Sequence, residues 1–354
     1  MIKRKISFPH FGNYSVPFGY FIKNVFDADF QPAPPITKRT LELGSINSPD
    51  FVCSPFKYNL GNYIEALEQG ADTLIQIGGV CRLGYYGELQ EQILRDLGYN
   101  FDFINLSSMN IHNPKSVWSE LKRFNKKLSL KNVSKTIFIC MEMVEEMDFL
   151  EKYIRKNVGF EIIIGSLDIL YKEYLTKISQ ITTRKQLKKI YKEYLNKIEK
   201  VKLNKPKNLL KVGIVGEYYT IMEPFSNHFL ERELASKGIY VTRNIDVSST
   251  IFHRKIPKIL KKISKYVKYD IGATGIDTVN SALLMAKKGY DGIIHVKSFG
   301  CTPEIDTMTI LQNISQDYKI PIIYFSFDSQ TSETGIKTRL EAFNDMIVMR
   351  KERK

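Results

Sequence analysis

Twice along this 354-residue chain, short apolar runs alternate with amphipathic segments, and no other feature narrows the fold as much. In the first stretch, KISFP (5–9), ADFQPAP (28–34), DFVCSP (50–55), DTLIQIG (72–78) and FDFINL (101–106) read as strands or strand ends. Between them lie VPFGYFIKNVF (16–26), TKRTLELG (37–44), NLGNYIEALEQG (59–70) and ELQEQILRDLG (88–98), which carry helical spacing. Short apolar runs separated by helices that end in Gly44, Gly70 and Gly98 are the pattern of βα units feeding a parallel sheet. The alternation resumes at KVGIVG (211–216) and continues through IYVTRNI (239–245), DGIIHV (291–296) and IPIIYFSF (320–327), with helical segments at 223–238, 256–267, 275–289, 307–318 and 338–349.

The stretch between these halves has a different period. It is rich in Lys and Glu and poor in Gly, and Ile137, Cys140, Val144, Met147, Leu150 and Ile154 recur at three- and four-residue steps, which places them on one helix face. Only FEIIIG (160–165) reads as a short strand there. The expected fold is therefore α/β: two Rossmann-like parallel-sheet domains, residues 1–113 and 209–354, with a helical subdomain at 114–208 between them.

Composition excludes several classes. Hydrophobic residues make up 43% and charged residues 25%, as in ordinary soluble proteins. No apolar run approaches the roughly 18 residues a membrane span requires, and Met1-Ile-Lys-Arg-Lys leads into a strand rather than a signal-peptide core. A cytoplasmic protein without membrane association is expected. Four cysteines are too few to staple a secreted fold of this length and are expected to be buried, metal-bound or catalytic. The net charge of +14 gathers partly in 184–211 and 254–268, where Lys alternates with Ile, Leu and Tyr at helical spacing. Solvated helix faces account for that pattern, and no helix-turn-helix, zinc-finger or RNA-recognition signature supports a nucleic-acid partner.

Three of the cysteines share a setting. Cys53 follows DFV and precedes Ser54-Pro55; Cys81 follows TLIQIGGV and precedes Arg82; Cys301 follows IIHVKSFG and precedes Thr302-Pro303. Each is expected at the carboxyl end of a parallel strand, the edge where open α/β sheets hold ligands. Cys140 lies mid-helix among Ile, Phe and Met and reads as a small core residue. Thiolates are soft ligands for zinc and for iron–sulfur clusters, so the pattern suggests a metal centre held by both α/β domains. Structural zinc would call for a fourth ligand, His10 or His295, and the chain has no CxxC pair. A [4Fe–4S] cluster on three cysteines leaves one iron open to a substrate or another ligand.

Several phrases carry a resemblance. FPHFGNYSVPF (8–18), PAPPITKRTLELG (32–44), CSPFKYNLGNYIEALEQGADTLIQIGG (53–79), CRLGYYGELQEQILRDLGY (81–99), VGIVGEYYTIMEPFSN (212–227), GYDGIIHVKSFGCTPEI (289–305) and SETGIKTRLEAFNDMI (332–347) resemble the acyl-CoA dehydratase activase-related proteins, relatives of the 2-hydroxyacyl-CoA dehydratase subunits. The resemblance implies that Cys53, Cys81 and Cys301 ligate a [4Fe–4S] cluster. In the true dehydratases an ATP-hydrolysing activase delivers one electron, and a 2-hydroxyacyl-CoA is converted to a ketyl radical that loses water. Where relatives read GGxGPCR this chain has GGVCR, two residues shorter, which implies a tighter loop at Gly78-Gly79-Val80. No phosphate-cradling Gly-rich loop with its Lys is present, so ATP chemistry would come from an activase in trans.

Two carboxylates lie near these thiols in sequence. Glu217 follows the strand at 211–216, where the resemblance implies a proton-handling group beside a cluster; a helix-start carboxylate is the alternative. Glu304 is expected to cap the helix that follows Cys301. The expected function is a low-potential one-electron reduction on an acyl-CoA or related substrate, within a homodimer or heterodimer. A non-catalytic electron carrier and a structural zinc module are the alternatives.

Overall fold

The computed structural model describes residues 3–77, 81–106 and 114–353. Its eight strands are β1 (Lys5–Ser7), β2 (Asp29–Phe30), β3 (Thr73–Ile77), β4 (Asp102–Leu106), β5 (Lys211–Gly216), β6 (Tyr240–Arg243), β7 (Gly292–Ser298) and β8 (Ile322–Phe327). They form two separate four-stranded sheets, ordered β2-β1-β3-β4 and β6-β5-β7-β8. Every pairing is parallel. The described chain is thus an α/β protein with two Rossmann-like sheets.

Contacts divide it into two compact units, Met1–Val144 with Ile178–Arg184, and Glu145–Lys177 with Lys185–Lys354. This division assigns the helices of the middle stretch to one unit or the other. In the first unit the helices are α1 (Ser15–Val25), α2 (Lys38–Ile46), α3 (Ser54–Glu68), α4 (Leu83–Asp96) and α5 (Pro114–Phe124). The long helix α6 (Leu130–Arg155) begins in the first unit and ends in the second. Helices α7 (Ser166–Ile178) and α8 (Arg184–Glu199) follow, each running largely in the second unit. Beyond β5 come α9 (Tyr218–Met222), α10 (Leu230–Ser236), α11 (Ile256–Ile263), α12 (Gly275–Lys287), α13 (Thr302–Tyr318) and α14 (Glu333–Glu352).

Each sheet is buried on both faces, as parallel sheets must be when crossover helices cover them. In the first unit Ile75 and Ile104 face Ile22 and Val25 of α1 and Leu121 of α5. Their chain neighbours Leu74 and Phe103 face Phe56, Leu60 and Tyr63 of α3 and Leu94 of α4. That switch between adjacent residues is the period of two that a strand imposes. Tyr63 is wholly buried, and its hydroxyl is satisfied by the Ile75 carbonyl at 2.9 Å and Gln76 Oε1 at 2.6 Å. In the second unit Val215 and Ile293 pack against Ile276, Val279 and Leu283 of α12 and Leu311 and Ile314 of α13. All seven residues of β7 are buried.

Four expectations change. DFV at 50–52 forms no strand: α2 ends before it, Phe51 is 96% exposed, and only Cys53 separates it from α3, so the run between Pro49 and Pro55 is too short to reach a ladder partner. Gly70 and Gly98 end their helices in the left-handed region (φ 91° and 87°), but Gly44 lies inside α2. Its role is close approach, since a Cβ there would stand 1.8 Å from the Lys57 carbonyl oxygen, and one on Gly61 of α3 would stand 1.9 Å from that of Thr40. On α6 Val144, Met147, Leu150 and Ile154 are buried as expected and Ile139 and Met143 join them, but Ile137 is 43% exposed and Cys140 only partly covered. FEIIIG contributes a single antiparallel bridge, Glu161 to Leu203, and Ile162, Ile163 and Ile164 are exposed.

The buried arginines Arg155 and Arg243 of the second unit are paired. Arg155 and Arg243 reach Glu231 at 2.8 and 3.0 Å, and Arg243 also donates to the Ile221 carbonyl at 2.7 Å. Burial alone would raise the Glu231 carboxyl, but the two guanidinium groups outweigh it and hold the group below its usual range. Because α2 and α3 touch backbone to backbone, Gly61→Ala should cost about 1–3 kcal/mol of stability. Chemical denaturation of that variant beside Gly70→Ala, where nothing lies within 4 Å of an added Cβ and only the left-handed backbone is penalised, separates overpacking from backbone strain.

Candidate functional site

In both sheets the strand order reverses between the first and third strands of the unit, β1/β3 and β5/β7, so the crevice for a ligand opens at their carboxyl ends. Cys81 follows β3 and Cys301 follows β7, which puts the two thiols at equivalent topological places in the two units. Glu217 follows β5 directly, with its N–H bonded to the Val296 carbonyl of β7 at 2.9 Å. The loop Gly78-Gly79-Val80 lies outside the described residues.

Cys53 and Cys301 are held by the same local device. Each is the N-cap of its helix with extended backbone, Cys53 before α3 and Cys301 before α13, and each is followed by Ser-Pro or Thr-Pro. Proline suits the first turn because its missing N–H would have no helical partner there. Neither sulfur caps its own helix. Cys53 instead lies 3.4 Å from the Tyr86 hydroxyl of α4. Burial, and then the thiol, push that phenol up, while Phe56 meets the Tyr86 ring edge-on at 4.8 Å. Cys81 is exposed, one residue ahead of the α4 N-cap Arg82. Thus Cys53 stands at a helix start instead of a strand end, and each of the three thiols lies at or just before a helix N-terminus.

Cys140 is different in kind. It is half-buried inside α6, its thiol donates to the Pro17 carbonyl at 3.3 Å, and burial pushes it up to about 12. A group so poorly ionised is a poor ligand. The donor chemistry of the other three suits a soft metal or a cluster. Among the described residues, no three His, Cys, Asp or Glu side chains gather into a metal-holding group. Cys53 and Cys81 belong to the first unit, Cys301 and Glu217 to the second.

Behind Cys301 the second unit carries a buried polar network that sequence reasoning placed incorrectly. Glu304 does not cap α13; it is 1% exposed and accepts from Thr278 Oγ1 at 2.9 Å, with His295 Nε2 also at 2.9 Å. Thr307 Oγ1 lies 3.2 Å from the same carboxylate. Fully buried and tied to Glu304, His295 is unsuited to joining Cys301 as a metal ligand. Lys297, buried beside this network, donates to the Phe299 carbonyl at 3.0 Å. Burial lowers its ammonium, and the neighbouring Cys301 and Glu304 oppose that. A run of strand residues gives no sign of such a lysine except the break it makes in the apolar run IIHV.

Glu217 is also buried and caps the short helix α9, accepting from the N–H groups of Tyr219 at 2.7 Å and Thr220 at 2.9 Å. Burial raises its carboxyl; the hydrogen bonds from Thr220 and Tyr219 oppose the rise, and the charge of Glu304 adds to it. Glu217 therefore caps α9, and its burial favours the protonated carboxyl.

The family described as 2-hydroxyglutaryl-CoA dehydratase, D-component, matches residues 121–347. The chain belongs to that family. The matched span includes Cys140, Glu217 and Cys301 and begins after Cys53 and Cys81. No curated protein matches the sequence. Among the described residues no helix is long and apolar enough to cross a membrane. The chain is thus a subunit of the 2-hydroxyacyl-CoA dehydratase type.

Two measurements follow from these surroundings. At pH 8 a thiol with a pKa near 12 is ionised in only about one molecule in 10⁴. Native-state alkylation followed by peptide mass mapping should therefore label Cys81 well before Cys140; equal rates would refute the separation. For Glu217 the folded-state pKa lies above its value of 4.5 in the open chain, so its contribution to stability is fully present at lower pH and is lost as pH rises through the folded value. Relative to Glu217→Gln, the native protein should lose stability between pH 4 and neutrality, as read from denaturation midpoints.

Proposed function

We propose that this chain is an iron–sulfur subunit of a 2-hydroxyacyl-CoA dehydratase-type system, in which Cys53, Cys81 and Cys301 ligate one [4Fe–4S] cluster. An ATP-dependent activase supplies the electron in trans, and the reduction serves the dehydration of an acyl-CoA or a related reaction in the cytoplasm, within a homodimer or heterodimer. The observation that carries this reading is the family match over the unit in which Cys301 stands at the switch point of a parallel sheet, beside a buried lysine.

When bound, such a cluster supplies one-electron chemistry at low potential. The chain's own residues prepare its surroundings. Each of the three cysteines stands at or one residue before a helix N-cap, where the positive end of the dipole lies near the sulfur, and Lys297 sets a positive charge near Cys301. Glu217, whose burial favours the protonated form, holds a proton at the carboxyl end of β5, where an acid group can deliver it to a leaving hydroxyl. The Thr220 and Tyr219 N–H groups fix that carboxyl in place.

The test is anaerobic reconstitution with iron and sulfide, iron quantification and EPR, then incubation with activase, ATP, reductant and a panel of 2-hydroxyacyl-CoAs. Cys81→Ala should lose the cluster, Cys140→Ala should retain it, and Glu217→Gln should retain it while losing turnover. Loss of iron in both cysteine variants would undo the ligand assignment. Stoichiometric zinc in a colourless protein would replace the cluster with a structural metal, and a reducible cluster with no dehydration of any acyl-CoA would make the chain an electron carrier.

A further inference from the structure

The second unit has a cavity that this function does not use. Helix α12 lies over β5, where a Cβ on Gly213 would stand 2.1 Å from Met285 Sδ, and it leaves part of the edge strand β6 uncovered. Alternate residues Tyr240, Thr242 and Asn244 there line a cavity of about 510 Å³. Four of its lining residues are lysines: Lys152 near the end of α6, Lys156 just past it, Lys211 at the start of β5 and Lys288 after α12. No Asp or Glu lines it.

Among the described residues, none of these four ammonium groups has a carboxylate partner, whereas Lys197, Lys265 and Lys351 elsewhere in the unit do. Burial, followed by the charges of Lys152, Lys288 and Arg155, holds the Lys156 ammonium below its ordinary range. Like charges gathered around a concavity with nothing opposite them are costly, and an anion bound among them reverses the cost. The wall adds neutral donors and acceptors: Thr242 Oγ1 and the Tyr290 hydroxyl lie 2.8 Å apart, with the Asn244 amide beyond them. Asn244 also lines a second cavity of about 270 Å³ that includes Lys258 and Lys262, so positive charge continues along the groove.

We propose that this groove binds a small molecule carrying two or more linked phosphates, such as a nucleoside diphosphate. Its volume falls in the range of small-ligand sites, about 300–1,000 Å³. Several ammonium groups suit a diphosphate, and the recessed phenols and amide suit the rest of a nucleotide. A nucleic-acid strand would meet the rim lysines without using Thr242, which is 5% exposed. Lys211 and Lys288 stand at the amino ends of β5 and β7, while Cys301 follows the carboxyl end of β7, about 20 Å along that strand, so the groove is separate from the thiol edge.

Calorimetric titration of the full chain at low ionic strength with pyrophosphate, ADP and AMP tests this. Pyrophosphate and ADP should bind, AMP roughly tenfold more weakly, and affinity should fall steeply with added salt. The double variant Lys156→Gln/Lys288→Gln should lose about tenfold or more in affinity with an unchanged or raised melting midpoint. Lys189→Gln/Lys192→Gln on α8 should bind as the native chain does, and so should Cys81→Ala, whose cluster content tests the other proposal separately. Competition by coenzyme A would identify its nucleotide end as the source of the phosphates, and its failure to compete would leave a free nucleotide. Absence of binding by both ADP and pyrophosphate, affinity indifferent to the double variant, or displacement of ADP by a short oligonucleotide with the same lysine dependence would overturn the proposal.

Discussion

Everything at the candidate site of the second unit depends on how closely β5 and β7 run at their carboxyl ends. Gly216 pairs with Val296, and a Cβ on that glycine would stand 1.8 Å from the Val296 carbonyl oxygen. The chain leaves β5 at φ 139°, a backbone open to glycine and strained for other residues, and the next residue is Glu217. Thr278 Oγ1 reaches the Gly216 carbonyl at 3.2 Å and also holds Glu304. A glycine too small to push the strands apart thus brings an acid, a buried His–Glu pair and a thiol-bearing helix start to one end of one sheet.

The first unit repeats the plan with different emphasis. Its sheet has the same strand order, and Cys81 holds the place that Cys301 holds in the second. The Cys-Ser-Pro and Cys-Thr-Pro helix starts are shared as well, but Cys53 uses its version between two helices. Local chemistry is common to the units, while the placing of the thiols along the fold differs.

Much of this was legible in the sequence. Mostly apolar runs such as GIIHV and TLIQI pointed to buried parallel strands, and Gly70 and Gly98 to helix ends, because strand burial and left-handed caps depend on a few adjacent residues. DFV read as a strand end because Phe51 and Val52 are β-prone, but two apolar residues carry no information about a ladder partner. Gly44 deceived because a glycine that ends a helix and one that lets two helices touch look alike until the second helix is in place. Glu304 read as a cap because capping is local, whereas its partners His295 and Thr278 arrive from nine and 26 positions away. The uncompensated lysines of the β6 groove were hidden for the same reason, since Lys152, Lys211 and Lys288 are scattered across the chain and look like ordinary solvated charges.

Helix α6 carries one more consequence. Its residues up to Val144 belong to one unit and those from Glu145 to the other, with no loop at the crossing. Met143 and Met147, one turn apart on either side of that crossing, are both wholly buried. The chain therefore lacks a natural cut point there: a fragment divided at this junction would end in a severed helix with a naked methionine.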